Sequence, residues 1–182
     1  MTAVTHLGQA MNYFELFGLS PQFDVDSHAL ADTYRTLQKQ FHPDKFAAHS
    51  ERERLQAVQG AARINDAYTT LKNPLNRAQY LLSLHGVELN AEQQTLKDPA
   101  FLMQQMEWRE QLEELSHAPD VLAAILAFEQ ELQQASQDYY GQLSHQLTQA
   151  AWQEAADTVR KLKFMTKLHA ELERLEDAQQ DF

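Results

Sequence analysis

The chain has 182 residues and no cysteine, which excludes disulfides, CxxC zinc clusters and thiol chemistry within it. Hydrophobic residues make up 43% and charged residues 23%, as in an ordinary globular protein, and Ala, Leu, Gln and Glu dominate over β-branched runs. The net charge of −11 disfavours nucleic acid, whose phosphates demand a basic footprint.

That charge is uneven. Residues 1–76 carry 7 Lys/Arg against 8 Asp/Glu, or −1, and residues 77–182 carry 8 against 18, or −10. Two units with different partners are expected. No stretch approaches the roughly twenty apolar residues of a membrane span, and residues 1–10 lack the features of a signal peptide. A cytoplasmic protein is expected, with residues 1–11 a flexible tail and Met11 a possible alternative start.

Asn12-Tyr13-Phe14-Glu15 reads as the capped start of a short helix that stops at Gly18. A second helix is predicted from Asp26 to Phe41, with Leu30, Tyr34, Leu37 and Phe41 as its apolar stripe and Arg35, Lys39 and His42 projecting from the opposite side. A third opens with the capping box Ser50-x-x-Glu53 and runs to Leu71, turning Val58, Ala61, Ile64, Tyr68 and Leu71 inward. Between these helices stands His42-Pro43-Asp44. Proline cannot continue a helix and disfavours the α region for the residue before it, so the tripeptide opens a loop between two antiparallel helices.

Asn73-Pro74 caps and starts a helix from Leu75 to His85, ended by Gly86 and apolar on several sides, so that it suits a connection between the two units. Asp98-Pro99 repeats the signal and starts a helix to Ser116. Pro119 is read as opening the next, to Leu147, and a last helix is predicted from Thr148 to Asp177. Short loops make neighbours antiparallel, giving a C-terminal three-helix bundle. The expected fold is all-α. A flexible tail (1–11) precedes an N-terminal helical hairpin (12–76), a connecting helix (77–88) and the bundle (89–182), the whole bent into an L.

Three readings of the His42 loop stand side by side. As a catalytic pair, His42 would be the base and Asp44 its orienter, but no nucleophile or metal-ligand set lies near in sequence. As a structural turn, Asp44 would bond its own backbone. As a docking tip, the loop gains from Arg35, Lys39 and Lys45, a small basic face beside a rigid charged point.

The helix from Pro99 carries a core stripe of Phe101, Trp108, Leu112 and Leu115. Leu102, Met103 and Met106 point elsewhere, sharing a side with Glu107, Glu110 and Glu114. They form either a broad core face or an apolar binding patch rimmed by carboxylates, for which adaptable methionines are suited. The three glutamates have metal-chelating spacings, yet no histidine complements them, so no metal or other cofactor is expected. In the last helix Trp152, Ala155, Val159 and Leu162 form one stripe. Phe164 shares a second with Leu168, Leu172 and Leu175, and suits either core or patch.

The string Tyr34 to Phe46, around His42-Pro43-Asp44, resembles the second helix and loop of a J domain. Ile64-Asn65-Asp66-Ala67-Tyr68-Thr69-Thr70-Leu71 resembles its third helix, and Asn12 to Leu19 its opening. Asn73 to Leu82, Phe101 to Glu107 and Asp157 to Phe164 are similar to the HscB family, the J-type co-chaperones of bacterial iron–sulfur cluster biogenesis. The resemblance implies a non-enzymatic co-chaperone with two partners. Arg35, Lys39, His42, Pro43, Asp44 and Lys45 would dock on a DnaK-type chaperone, HscA, and stimulate its ATPase, Asp44 engaging an arginine there. Leu102, Met103, Met106, Glu107, Glu110, Glu114 and Phe164 would bind the cluster scaffold IscU. The alternative is a generic J-domain co-chaperone with a different client.

Overall fold

The computed structural model describes residues 11–89 and 98–180; the first ten residues of the expected tail lie outside them. Among the described residues there are seven α-helices and no strand. The chain divides into two compact units between His85 and Gly86.

In the first unit, α1 (Tyr13–Leu16) is held by the Asn12/Glu15 capping box. The Glu15 amide donates to Asn12 Oδ1 at 2.9 Å and the Asn12 amide to Glu15 Oε2 at 3.0 Å. Gly18, at φ +68°, takes the left-handed conformation that ends the helix. Helix α2 (Ser27–Gln40) is capped by Asp26, which accepts from His28 and Ala29. Those two amides draw the Asp26 carboxyl below its ordinary range. Helix α3 (Glu51–Lys72) begins with the expected Ser50/Glu53 box.

Helix α3 buries Ala57, Ile64, Ala67 and Leu71. Val58, expected inside, is 52% exposed, and Ala61 and Tyr68 are only partly buried. The reason is close packing. The Phe41 ring lies against Gly60, where a Cβ would sit 3.3 Å from Phe41 Cδ1. A surface so near takes small residues, so Ala57 occupies the place that hydrophobicity alone awards to the neighbouring valine.

Helix α4 (Pro74–Leu84) starts at Pro74 behind the Asn73 cap and ends before Gly86, φ +77°. It buries Leu75, Ala78, Leu81 and Leu82 and falls within the first unit. Its Tyr80 ring stacks on Tyr13 at 4.6 Å, and its hydroxyl accepts from the Tyr13 amide at 2.9 Å.

The second unit contains α5 (Pro99–Glu114), α6 (Val121–Thr148) and α7 (Trp152–Gln180). Its core gathers Phe101, Trp108 and Leu115, then Ile125, Phe128 and Leu132, with Met165, Leu168 and Leu172. Large rings from α5 fill the space facing α6 and α7, as the Phe101 stripe requires. Two boundaries differ from expectation. Asp120, not Pro119, caps α6, accepting from the Ala123 amide at 3.0 Å. Helix α7 starts at Trp152, because α6 ends in a Schellman turn: the Ala151 amide donates to Gln146 O at 2.9 Å and the Ala150 amide to Leu147 O at 3.2 Å. Ala150 holds φ +54° where glycine is usual, which hid the stop.

Candidate functional site

Two surfaces take shape, one in each unit. In the first, α2 ends at Gln40 and Phe41, and the chain enters a 3-10 turn over Pro43–Phe46. Pro43 stands at the first position of that turn, where its missing N–H costs nothing. His42 caps it: Nδ1 accepts from the Asp44 amide at 3.3 Å. The histidine thus does the local bonding that the structural-turn reading assigns to the aspartate. The Asp44 side chain is left 91% exposed, with its Oδ2 3.5 Å from His42 Nδ1.

An open groove of about 840 Å³ runs beside this turn, lined by Arg35, Gln38 and Lys39 from α2, His42 to Lys45, and Ala61 and Asn65 from α3. All six residues expected at the docking tip therefore meet in one place. Among the described residues, the groove lining holds no serine or threonine hydroxyl that His42 could activate. Arg35 pairs with Asp32 at 2.6 Å, both well exposed. Such an exposed pair contributes little to stability. Ala61 and Asn65 escaped the sequence reading because α3 reaches the groove only through the tertiary packing of α2 on α3.

In the second unit the outward side of α5 exposes Leu102 at 42%, Met103 at 64% and Met106 at 72%, while Phe101 and Trp108 are buried. The stripe and the patch are thus distinct faces. Glu107, Glu110 and Glu114 are exposed. Phe164 is partly buried and belongs to both environments. Its ring meets Phe101 edge-on at 5.8 Å and stacks on Trp108 at 6.3 Å. It also lines a hollow of about 500 Å³ with Gln105, Met106, Arg109, Glu110 and Glu113. Glu114 lines a different hollow with Gln111, Leu115, His117 and Ala118, so it lies apart from Phe164.

Arg109, absent from the sequence reading, lies over the Phe164 ring at 5.4 Å and pairs with Glu171 at 2.5 Å. The arginine's hydrogen bond holds the Glu171 carboxyl below its ordinary range. Helix α5 is further fixed by Trp108 Nε1 donating to Glu131 at 2.9 Å and by the Asp98–Lys161 pair at 2.7 Å. The patch therefore stands on a braced helix. Among the described residues, no group of three or more His, Asp or Glu is placed to hold a metal ion, and no helix is long and apolar enough to cross a membrane.

Residues 12–80 match the DnaJ domain family, and residues 97–181 match the HSCB C-terminal oligomerisation domain. A helical hairpin with an exposed His-Pro-Asp tip, joined in one chain to that second domain, defines a J-domain co-chaperone.

The chain is 59% identical over 167 residues to a co-chaperone protein HscB homolog of Vibrio cholerae, covering 92% of this chain and 98% of that one. Among solved structures it is similar to chaperone HscB from Vibrio cholerae, with TM-score 0.84 and 55% identity, covering 92% of this chain and 99% of that one. It is also similar to human co-chaperone protein HscB, with TM-score 0.84 and 29% identity, covering 92% of this chain and 83% of that one. The chain belongs to the HscB co-chaperone family.

Proposed function

We propose that this protein couples a DnaK-type chaperone, HscA, to an iron–sulfur cluster scaffold, IscU. The groove of Arg35, Lys39, His42, Pro43, Asp44 and Lys45 docks on the chaperone's ATPase domain and stimulates hydrolysis. Asp44 offers an exposed carboxylate to an arginine there. The basic residues meet an acidic rim, which mainly sets on-rate and register. The protein itself catalyses no reaction, and its place is the cytoplasm.

The scaffold binds the α5 face, with Leu102, Met103 and Met106 as apolar anchors and Phe164 at their edge. Glu107, Glu110 and Glu114 orient a basic rim on the scaffold. The observation that carries the reading is the separation of faces on α5: three large apolar side chains stay in solvent while the core stripe is filled by others. Exposed apolar area rimmed by charge is characteristic of binding sites. Holding both partners on one chain raises the concentration of scaffold at the chaperone.

Calorimetric titration against IscU tests this. Leu102→Ala with Met106→Ala is expected to weaken binding by roughly 1–4 kcal/mol, in the range of hot-spot truncations, with helicity unchanged. Unaltered affinity for the scaffold would sink the reading.

A further inference from the structure

We propose that Asn65 is a chaperone-contacting hydrogen-bond donor of the docking groove, held in its donating orientation by Tyr34, and that it receives a carboxylate of the chaperone. This rests on the docking reading of the His42–Asp44 tip.

The Tyr34 hydroxyl donates to Asn65 Oδ1 at 2.6 Å. Gln38 Nε2 donates to the Tyr34 oxygen at 2.6 Å and also reaches Asn65 Oδ1 at 3.4 Å. The Tyr34 ring is itself fixed, lying flat on Tyr68 with centroids 4.0 Å apart and planes 6° apart. The asparagine oxygen therefore accepts from two donors.

Its nitrogen is the polar atom left over. Asn65 Nδ2 has no hydrogen-bond partner among the described residues, and Asn65 lines the groove with Lys39, Asp44 and Lys45. An amide N–H donor beside two ammonium groups suits an anionic oxygen, because a bond to a charged acceptor is roughly twice as strong as a neutral one. A carboxylate drawn in by the basic rim would then meet a directional donor.

The test is steady-state ATPase of the chaperone titrated with this protein, reading the half-maximal concentration and the maximal stimulation separately. Asn65→Asp replaces the donor with a like charge and is expected to raise the half-maximal concentration about tenfold or more. Asn65→Ala should raise it about three- to tenfold with maximal stimulation and melting midpoint unchanged. Tyr34→Phe should raise it less, and the double variant with Asn65→Ala should lose nothing further, since both act through one amide. Should Asn65→Asp disturb folding, Asn65→Ala decides, alanine being the best helix former.

The proposal is overturned if Asn65→Asp and Asn65→Ala stay within twofold of the parent while Asp44→Asn abolishes stimulation. If Asp44→Asn is also without effect, the docking reading itself falls and takes the Asn65 assignment with it.

Discussion

The Phe164 ring lies on the Trp108 indole, centroids 6.3 Å apart and planes 20° apart, while lining the same hollow as Met106. One side chain thus closes the core and edges the patch. Phe164→Ala is expected to lose on two measurements: about 2–4 kcal/mol of unfolding free energy by urea titration, and several-fold in scaffold affinity. Met106→Ala, 72% exposed, should lose affinity alone. Equal stability of the two variants would show that Phe164 carries no core load.

Arg77 is a buried cation in the first unit, 8% exposed. Its Nε donates to Phe23 O and its Nη1 to Leu71 O, each at 2.6 Å, and the guanidinium lies over the Phe23 ring at 5.1 Å. The fork ties the segment before α2 to the end of α3. Arg77→Ala would leave buried carbonyls without those donors and should cost about 2–4 kcal/mol. Arg77→Lys should recover less than half, because an ammonium cannot span both carbonyls in one plane. Urea unfolding of the first unit measures both.

Asp98 caps α5 and pairs with Lys161, whose hydrogen bond is the largest influence holding the Asp98 carboxyl below the ordinary 3.8, followed by the Phe101 amide. A depressed carboxyl pKa means that the folded state binds fewer protons than the unfolded state in the window below that value. The stabilisation is complete above the ordinary aspartate pKa of about 3.9 and is lost as pH falls from there through the folded pKa. Asp98→Asn should therefore flatten the pH dependence of melting below about pH 4 and lower the melting temperature at neutral pH. A parallel pH slope in parent and variant would contradict the assignment.

Helix starts were legible because they are written locally. Asn12 with Glu15, Asp26, Ser50 with Glu53, Asn73-Pro74 and Asp98-Pro99 all cap where their own side chains allow. Register was less so. Val58 against Ala57 is decided by how near Phe41 comes to Gly60, which periodicity within α3 does not contain. The stop at Gln149–Ala151 was silent because alanine, not glycine, takes the left-handed position.

The same division runs through the sites. The His42–Lys45 turn is contiguous in sequence and the exposed side chains of α5 obey one helical wheel, so the groove and the exposed face could be read. Gln38 with Asn65, and Arg109 with Phe164, become neighbours only when helices meet. A wheel gives the faces of one helix and not which partner arrives at them, and for that reason Phe164 stayed divided between core and patch.

The most direct test of the coupling account is HscA ATPase in the presence of IscU, comparing this protein with Asp44→Asn. The account predicts that Asp44→Asn loses most of the stimulation while its calorimetric affinity for IscU stays within twofold of the parent. Full stimulation by Asp44→Asn would contradict it.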